Sequence, residues 1–294
     1  MNGILNLLKP PSMTSSDAVV ILRRLLGEKR IGHAGTLDPE ASGVLTLLVG
    51  RATRLSDVLM EKDKTYIAEL TIGVTTTTQD QCGQVVDMVP DAALDMKQLQ
   101  GILPRFTGRM MQTPSVYSAI KVDGKKLYDY ARAGQDVAIN AREVTIHGIS
   151  LLQQTRPQSV LMRVACGKGT YIRTLCHDLG AALGTGGHCS FLLRERSGPW
   201  GLEDCATLEA IETAREAGRA EGLLLPMEAA LENMTRVDVL PGFVKDACNG
   251  RPLHKTSVEA ARTDDTGLVR MYVADELYGL ARWTEEWLRV QVTL

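Results

Sequence analysis

SVLMRVACGKGTYIRTLCHDLGAALG, residues 159–184, is where the architecture can be read most directly. Val160 to Cys166 reads as a strand and Gly167-Lys168-Gly169 as a tight turn. Thr170 reads as the cap of a helix that carries Ile172, Leu175, Cys176, Leu179, Ala182 and Leu183 on one face. Strand, glycine turn and helix together present the side chains of the helix start at the edge of a sheet. One of them is out of place. Arg173 falls in the first turn, where the macrodipole disfavours a cation by roughly 0.3 to 1 kcal/mol. An anion beside it is expected, either as an ordinary structural salt bridge or because Arg173 faces a catalytic carboxylate or a phosphate.

Working outward, Thr14 and Asp17 form a capping pair before Ala18, Ile21, Leu22 and Leu25, and Gly27 ends that helix. Val44 to Val49 is a short buried strand. Tyr66, Ala68, Leu70, Ile72 and Val74 alternate with Ile67, Glu69, Thr71, Gly73 and Thr75, which predicts a half-buried strand running into a polar loop. A helix is predicted over 96–106, with Leu99, Ile102, Leu103 and Phe106 on one face and Pro104 in conflict with it. Residues 112–134 are long, basic and turn-rich around Asp123-Gly124, poor in apolar anchors, and read as a hairpin-like excursion from the body, expected to be mobile when it has no partner. After Cys205 comes a polar helical stretch to Glu221, the segment 223–232, and then short strands including a hairpin around Ala274-Asp275-Glu276, so 235–294 reads as a small, mostly β unit.

The composition, 44% hydrophobic and 23% charged over 294 residues, is that of a globular chain with room for one large domain and a small one. The N-terminus has no basic leader and its apolar run is broken by Lys9, Pro10 and Pro11, so the expectation is a cytoplasmic protein without a membrane partner. Six cysteines form no CxxC pair, which favours reduced thiols, and the adjacent Cys176-His177 and His188-Cys189 do not have the spacing of a structural metal site. Residues 203–294 hold 10 Lys and Arg against 17 Asp and Glu, a balance of −7, so 1–202 carry +5 within an overall −2. A basic body beside an acidic tail suits an RNA partner, though weakly on its own.

GHAGTLDPEASG, residues 32–43, is the second informative stretch. Gly32, Gly35 and Gly43 permit unusual backbone and Pro39 stiffens the turn after Asp38, which holds one carboxylate on a rigid loop between a helix and a strand. Asp38 either caps its own turn or is a reactive group. The glycines match neither a Walker loop nor a dinucleotide fingerprint, and a carboxylate pair with Glu40 need not face a common sugar.

GILNLLKPPSMTSSDAV (3–19), RIGHAGTLDPEASGVL (30–45), KTYIAEL (64–70), QTPSVYSAIKVDGKKLYDYARAG (112–134), GTYIRTLCHDLG (169–180) and FLLRERSGP (191–199), in this order, resemble the bacterial tRNA pseudouridine(55) synthases, the TruB family. The resemblance implies an α+β fold: a catalytic domain over 1–234 on a mixed, largely antiparallel sheet flanked by helices, and a small PUA-like RNA-binding domain over 235–294. It implies that Asp38 is the essential aspartate, Tyr66 the tyrosine that stacks on the target base and Arg173 the arginine paired with the aspartate. His33 matches the histidine that takes the place of the flipped nucleotide, and Lys9 and Pro10 match the segment lining the pocket. Lys121, Lys125, Lys126 and Arg132 are expected to grip the backbone of the tRNA T-arm stem-loop. Ala34, Glu40, Ser42, Ser115 and Glu195 depart from the family pattern, and the two acids bear on how RNA phosphates are held near the site.

The implied chemistry isomerises uridine 55 to pseudouridine by base flipping, with no cofactor, no metal and no obligate protein partner. One carboxylate suffices: it attacks ribose C1′ or uracil C6, or removes the 2′ proton. A non-catalytic RNA-binding or tRNA-folding module and a nucleoside hydrolase are the readings from other classes.

Overall fold

The computed structural model describes residues 1–294 apart from 119, 120, 123, 128, 129, 131, 132, 134, 136 and 261–266. The first part of the chain forms β1 (Gly3–Lys9), α1 (Ser15–Leu26), β2 (Ile31–His33), β3 (Ser42–Val49), α2 (Ser56–Met60), β4 (Lys64–Ile72), β5 (Val74–Thr76) and β6 (Val85–Met88). Next come α3 (Met96–Ile102), β7 (Gly108–Gln112), β8 (Lys121–Val122), β9 (Lys125–Lys126), β10 (Arg142–Arg156), β11 (Ser159–Cys166), α4 (Ile172–Ala182), β12 (Gly187–Ser197), β13 (Trp200–Gly201) and α5 (Leu208–Glu216). The last part holds β14 (Arg236–Val239), α6 (Val244–Cys248), β15 (Leu253–His254), β16 (Val258–Ala260), β17 (Leu268–Val273), β18 (Glu276–Thr284) and β19 (Trp287–Thr293).

The larger sheet runs β1-β3-β12-β4-β11-β10-β7, with β2 on β3 and β13 on β12. It is antiparallel except where β12 meets β3, in parallel, at Leu193 opposite Ser42 and Arg194 opposite Gly43. The mixed, largely antiparallel sheet is therefore the one expected. Period-2 burial explains it: Leu5 and Leu7 of β1 and Leu45, Leu47 and Val49 of β3 meet Ala18, Leu22, Leu25 and Leu26 of α1. Ile4 and Leu48 point to the other face, against Trp200, Leu280 and Leu294. Burying each such leucine contributes about 1.5 to 3 kcal/mol. α4 lies on the sheet further along, where Ile172, Leu175, Cys176 and Leu179 pack on Leu70, Val160, Met162 and Val164. A second sheet, β15-β19-β18-β17-β14-β16, gathers residues 236–293 around Val237, Val269, Met271, Ala281 and Leu288. No helix among the described residues is long and apolar enough to cross a membrane.

Local corrections follow from hydrogen-bond accounting. α1 has both halves of the Thr14/Asp17 capping box and ends on Gly27 at φ 65°. The helix expected over 96–106 stops at Ile102, and Leu103–Phe106 tightens to a 3₁₀ turn, because Pro104 has no N–H to continue the α ladder. Thr170 does not cap α4. Its hydroxyl donates to the Gly167 carbonyl at 3.1 Å and closes the glycine turn, and Tyr171 is the residue that precedes the helix. The basic excursion contains a hairpin in which Lys121 faces Lys126 and Val122 faces Lys125, turning through Gly124 at φ 81°. Leu127 beside it is buried, an apolar anchor that the polar reading of the excursion missed. Arg132 and the side chains of Lys121, Lys125 and Lys126 lie outside the described residues.

Candidate active site

The loop joining β2 to β3 is held from three directions. From α1, the Ser15 hydroxyl accepts from Leu37 N at 2.9 Å and donates to Leu37 O at 3.0 Å. From the end of β1, Lys9 Nζ donates to Pro39 O at 3.0 Å and also to Pro10 O at 2.7 Å and Met13 O at 2.6 Å. From β12, Arg194 donates to Gly35 O at 3.1 Å, Thr36 O at 3.3 Å and Val44 O at 2.7 Å. Asp38 therefore sits on a clamped backbone. Gly35 and Gly43 have φ of 106° and 108°, and a Cβ on Gly43 would lie 2.2 Å from the Arg194 carbonyl oxygen. Gly43 is what lets β3 and β12 approach. Gly32, by contrast, lies in β2 without a positive φ, so its expected backbone role is not needed.

Arg173 reaches this loop from the first turn of α4. Its Nε donates to Asp38 Oδ2 at 2.8 Å and its Nη2 to Oδ1 at 3.2 Å, the two-pronged geometry that suits a guanidinium and a carboxylate. Nη1 donates to Thr78 O at 2.7 Å and approaches Asp80 Oδ2 at 3.4 Å, and Nη2 also meets Tyr117 O at 3.1 Å. The anion demanded by a cation at a helix start is thus two carboxylates. Arg173 is only 5% exposed, whereas the Asp38 side chain remains 36% exposed and open to a ligand. Gln112, at the end of β7, accepts from Tyr171 N at 2.8 Å and donates to Tyr171 O at 3.0 Å, which fixes the approach to α4.

Asp38 and Arg173 stand at a cavity of about 340 Å³, lined among others by Lys64, Tyr66, Tyr171, Leu192 and Arg194. β4 contributes Lys64 and Tyr66, and β12 contributes Leu192 and Arg194; in each strand, residues two apart share a face. Arg194 lies opposite Tyr66 across the strands. Burial pushes the Tyr66 phenol up from its ordinary pKa, and the Arg194 guanidinium opposes that shift. Burial lowers the Lys64 ammonium to about 8, helped by the like charge of Arg194.

Of the residues singled out in the sequence, Asp38, Tyr66 and Arg173 converge on this cavity. Three others do not line it. Lys9 is fully buried with its three donors on three carbonyls, and burial lowers its pKa to about 8 against the opposing pull of Glu40 and Asp38. It supports the loop from behind. Pro10 is exposed beside it, and His33 ends β2, opposite Leu47, half-buried at the start of the loop. Glu195 is held by Arg163 through two bonds of 2.8 and 2.9 Å, so its charge is answered locally. Ser115 is buried and accepts from Tyr117 N at 3.2 Å, which shapes the segment that gives Arg173 its Tyr117 carbonyl. Sequence reasoning passed over Asp80, Lys64 and Arg194. The alternation that pairs Lys64 with Tyr66 and Leu192 with Arg194 is the signal that was available for the last two.

The comparisons with known proteins bear on this arrangement. The family model for the N-terminal domain of TruB family pseudouridylate synthases matches residues 23–172, and that for the tRNA pseudouridylate synthase B C-terminal domain matches 173–232. The cavity draws on both, with Asp38 and Tyr66 from the first and Arg173, Leu192 and Arg194 from the second. The chain is 42% identical to a tRNA pseudouridine synthase B of Pelotomaculum thermopropionicum, over 96% of this chain and 91% of that one. It is 44% identical to one of Burkholderia mallei, over 97% and 94% respectively. Among solved structures it is similar to one of a Cbf5-Nop10-Gar1 complex, with a TM-score of 0.77 at 27% identity over 99% of this chain and 83% of that chain. An H/ACA RNP bound to a substrate RNA containing 2′-deoxyuridine matches with a TM-score of 0.76 at 26% identity, over 99% of this chain and 84% of that chain. The chain belongs to the TruB family of pseudouridylate synthases.

Proposed function

We propose that this tRNA pseudouridine synthase acts on uridine 55 in the T-arm loop, with Asp38 as its catalyst. The observation that carries the reading is the Asp38 carboxylate, fixed by both prongs of Arg173 yet open to a cavity that Tyr66 lines. A uridine in a folded RNA reaches such a cavity only when flipped out of its stack, and an aromatic wall offsets part of that cost of a few kcal/mol. Once the nucleotide is inside, the clamped loop spends no further entropy on aligning the carboxylate with the ribose and base. Arg173 orients the carboxylate, and Tyr66 is the stacking surface. His33, at the entrance to the loop, fills the gap left in the RNA. Lys121, Lys125, Lys126 and Arg132 hold the T-arm backbone, and Lys9 and Pro10 serve the site through the loop.

In the same reading, residues 1–234 form the catalytic domain and 235–294 a PUA-like RNA-binding domain. The enzyme works in the cytoplasm without an obligate protein partner. The similarity to bacterial relatives over nearly their whole length supports this. The test uses tRNA transcripts tritiated at C5 of uridine, because joining C5 to C1′ expels the C5 proton. Wild type is expected to release label and Asp38→Asn to release none while still binding RNA. Replacing uridine 55 by cytidine should remove the release; undiminished release would overturn the site assignment.

A further inference from the structure

A buried cation whose donors are all spent on the backbone is a strut; one with donors left over and a face on a cavity is available to a ligand. Lys9 is of the first kind. Lys64 and Arg194, 7% and 1% exposed, are of the second. The Lys64 ammonium donates to the Lys62 carbonyl and, at 2.6 Å, to Met60 O, which leaves one of its three N–H groups. Arg194 spends three of its five N–H groups on Val44, Thr36 and Gly35 and also meets the Tyr66 phenol. The two side chains come together around Gly35, whose Cβ, if present, would lie 3.7 Å from Arg194 Nη1 and 4.0 Å from Lys64 Cε. Among the described residues neither takes part in a salt bridge. Two like charges out of water and without a salt bridge carry a desolvation cost that an anionic ligand in the cavity would relieve.

We infer that Lys64 and Arg194 stabilise the uracil ring while it carries negative charge during isomerisation. The inference rests on Asp38 being the catalyst in this cavity and adds what the two cations beside the same loop do. If Asp38 attacks C1′ or removes the 2′ proton, the N1–C1′ bond breaks and its electron pair stays on the ring as a uracil anion. If Asp38 adds to C6, the C5–C6 π pair moves onto C5 and O4. Each route puts an electron pair on the base. In every route the N1–C1′ bond breaks with its pair left on N1, the turned ring gives its C5 electrons to C1′, C5 loses its proton and N1 gains one. Asp38 is regenerated as its bond to C1′ or C6 breaks, or as the 2′ proton it took returns to C2′. Positive groups already in place when the charge develops act in a dry site without reorganisation.

The test is single-turnover reaction of a T-arm stem-loop carrying either uridine or 5-fluorouridine at the target position. It is read by chromatography of the digested nucleosides as loss of the starting nucleoside, because the fluorinated ring keeps fluorine at C5 and takes up water at C6 where the uracil ring loses the C5 proton. Fluorine stabilises the ring's negative charge by itself and should reduce the need for the protein cations. Lys64→Met is expected to slow uridine roughly 10²-fold, the scale of losing one such donor, and 5-fluorouridine about tenfold or less, with RNA affinity kept. Lys64→Arg, which restores the charge, should recover most of the rate. Equal slowing of both substrates, or a loss confined to RNA affinity, would overturn the inference. Failure of wild type to convert uridine at all would instead sink the reading beneath it.

A second arm needs no substitution that threatens folding. The ammonium faces Arg194 of β12, Cys166 of β11, and Asp63 and Glu61 of the segment before β4, and it titrates at about 8. The wild-type rate on uridine should therefore fall above that pH, and Lys64→Arg should remove the fall. A wild-type rate on uridine that stays level through this range also overturns the inference.

Discussion

The cavity is lined by two buried arginines that hold the same loop, and they are seated in different ways. Arg173 gives both prongs to Asp38 and leans on Asp80, so its charge is cancelled where it stands. Arg194 is seated on three carbonyls and the Tyr66 phenol, with no carboxylate among its hydrogen-bond partners and Lys64 close by. Carbonyl dipoles orient a guanidinium but carry only partial charge, so the field of Arg194 persists into the cavity. The contrast teaches that burial by itself does not define a charged residue's task. An arginine matched to a carboxylate aims that carboxylate; one matched to backbone shapes a loop and keeps its charge for whatever enters.

The contrast can be tested, starting where the loss should be greatest. Asp38→Asn removes the carboxylate proposed to react and should lower the rate on the order of 10⁴-fold or more, measured by tritium release, with the fold intact by circular dichroism. Arg173→Met leaves Asp38 without its fork and should cost roughly 10² to 10³ in kcat, with Arg173→Lys recovering only part, because an ammonium cannot make both bonds. If Arg173→Lys were fully active, the aiming role would be wrong. Beside Arg194, Gly43→Ala should lower thermal stability by several degrees, as its Cβ would meet the Arg194 carbonyl at 2.2 Å. Neutralising Lys121, Lys125 and Lys126 concerns neither arginine. It should weaken RNA binding a few-fold and flatten its salt dependence, leaving the single-turnover rate at saturating RNA unchanged.

The smallest expected effect is one of pH on stability. Lys64 and Lys9 titrate near 8 in the folded chain, below their ordinary 10.5. Below 8 both states are protonated and the burial penalty is carried in full. Between 8 and 10.5 the unfolded chain binds more protons, so stability rises with pH. The stability of Lys64→Met relative to wild type should therefore fall between about pH 7.5 and about pH 9.5, as followed by urea denaturation.

Local rules made a good part of this legible. The Thr14/Asp17 box, the Gly27 stop and the alternation of Tyr66 to Ile72 are short-range features, and the elements formed where they pointed. Arg173 announced a missing anion because a helix start repels cations, and six ordered motifs supplied Asp38 as its partner. What stayed hidden depends on groups that every residue owns. The carbonyls of Thr78 and Tyr117 that receive Arg173, and those of Gly35, Thr36 and Val44 that receive Arg194, leave no mark on sequence. Lys9 was read toward the pocket because its motif lies beside it, yet its ammonium turns inward to the loop. Thr170 looked like a cap because threonine caps helices, but the turn claimed its hydroxyl first.

β12 enters the sheet between β3 and β4, although it is made more than a hundred residues after either. A ribosome delivering about 5 to 20 residues per second leaves the earlier strands waiting for several seconds with two bare edges facing each other. Unpaired edges recruit other chains. Leu192 and Arg194, which line the cavity and of which the second holds the Asp38 loop, arrive only with that strand. A nascent chain halted before residue 187 therefore lacks part of the cavity lining and has both strand edges unpaired, and the insertion of a single late strand ends both conditions at once.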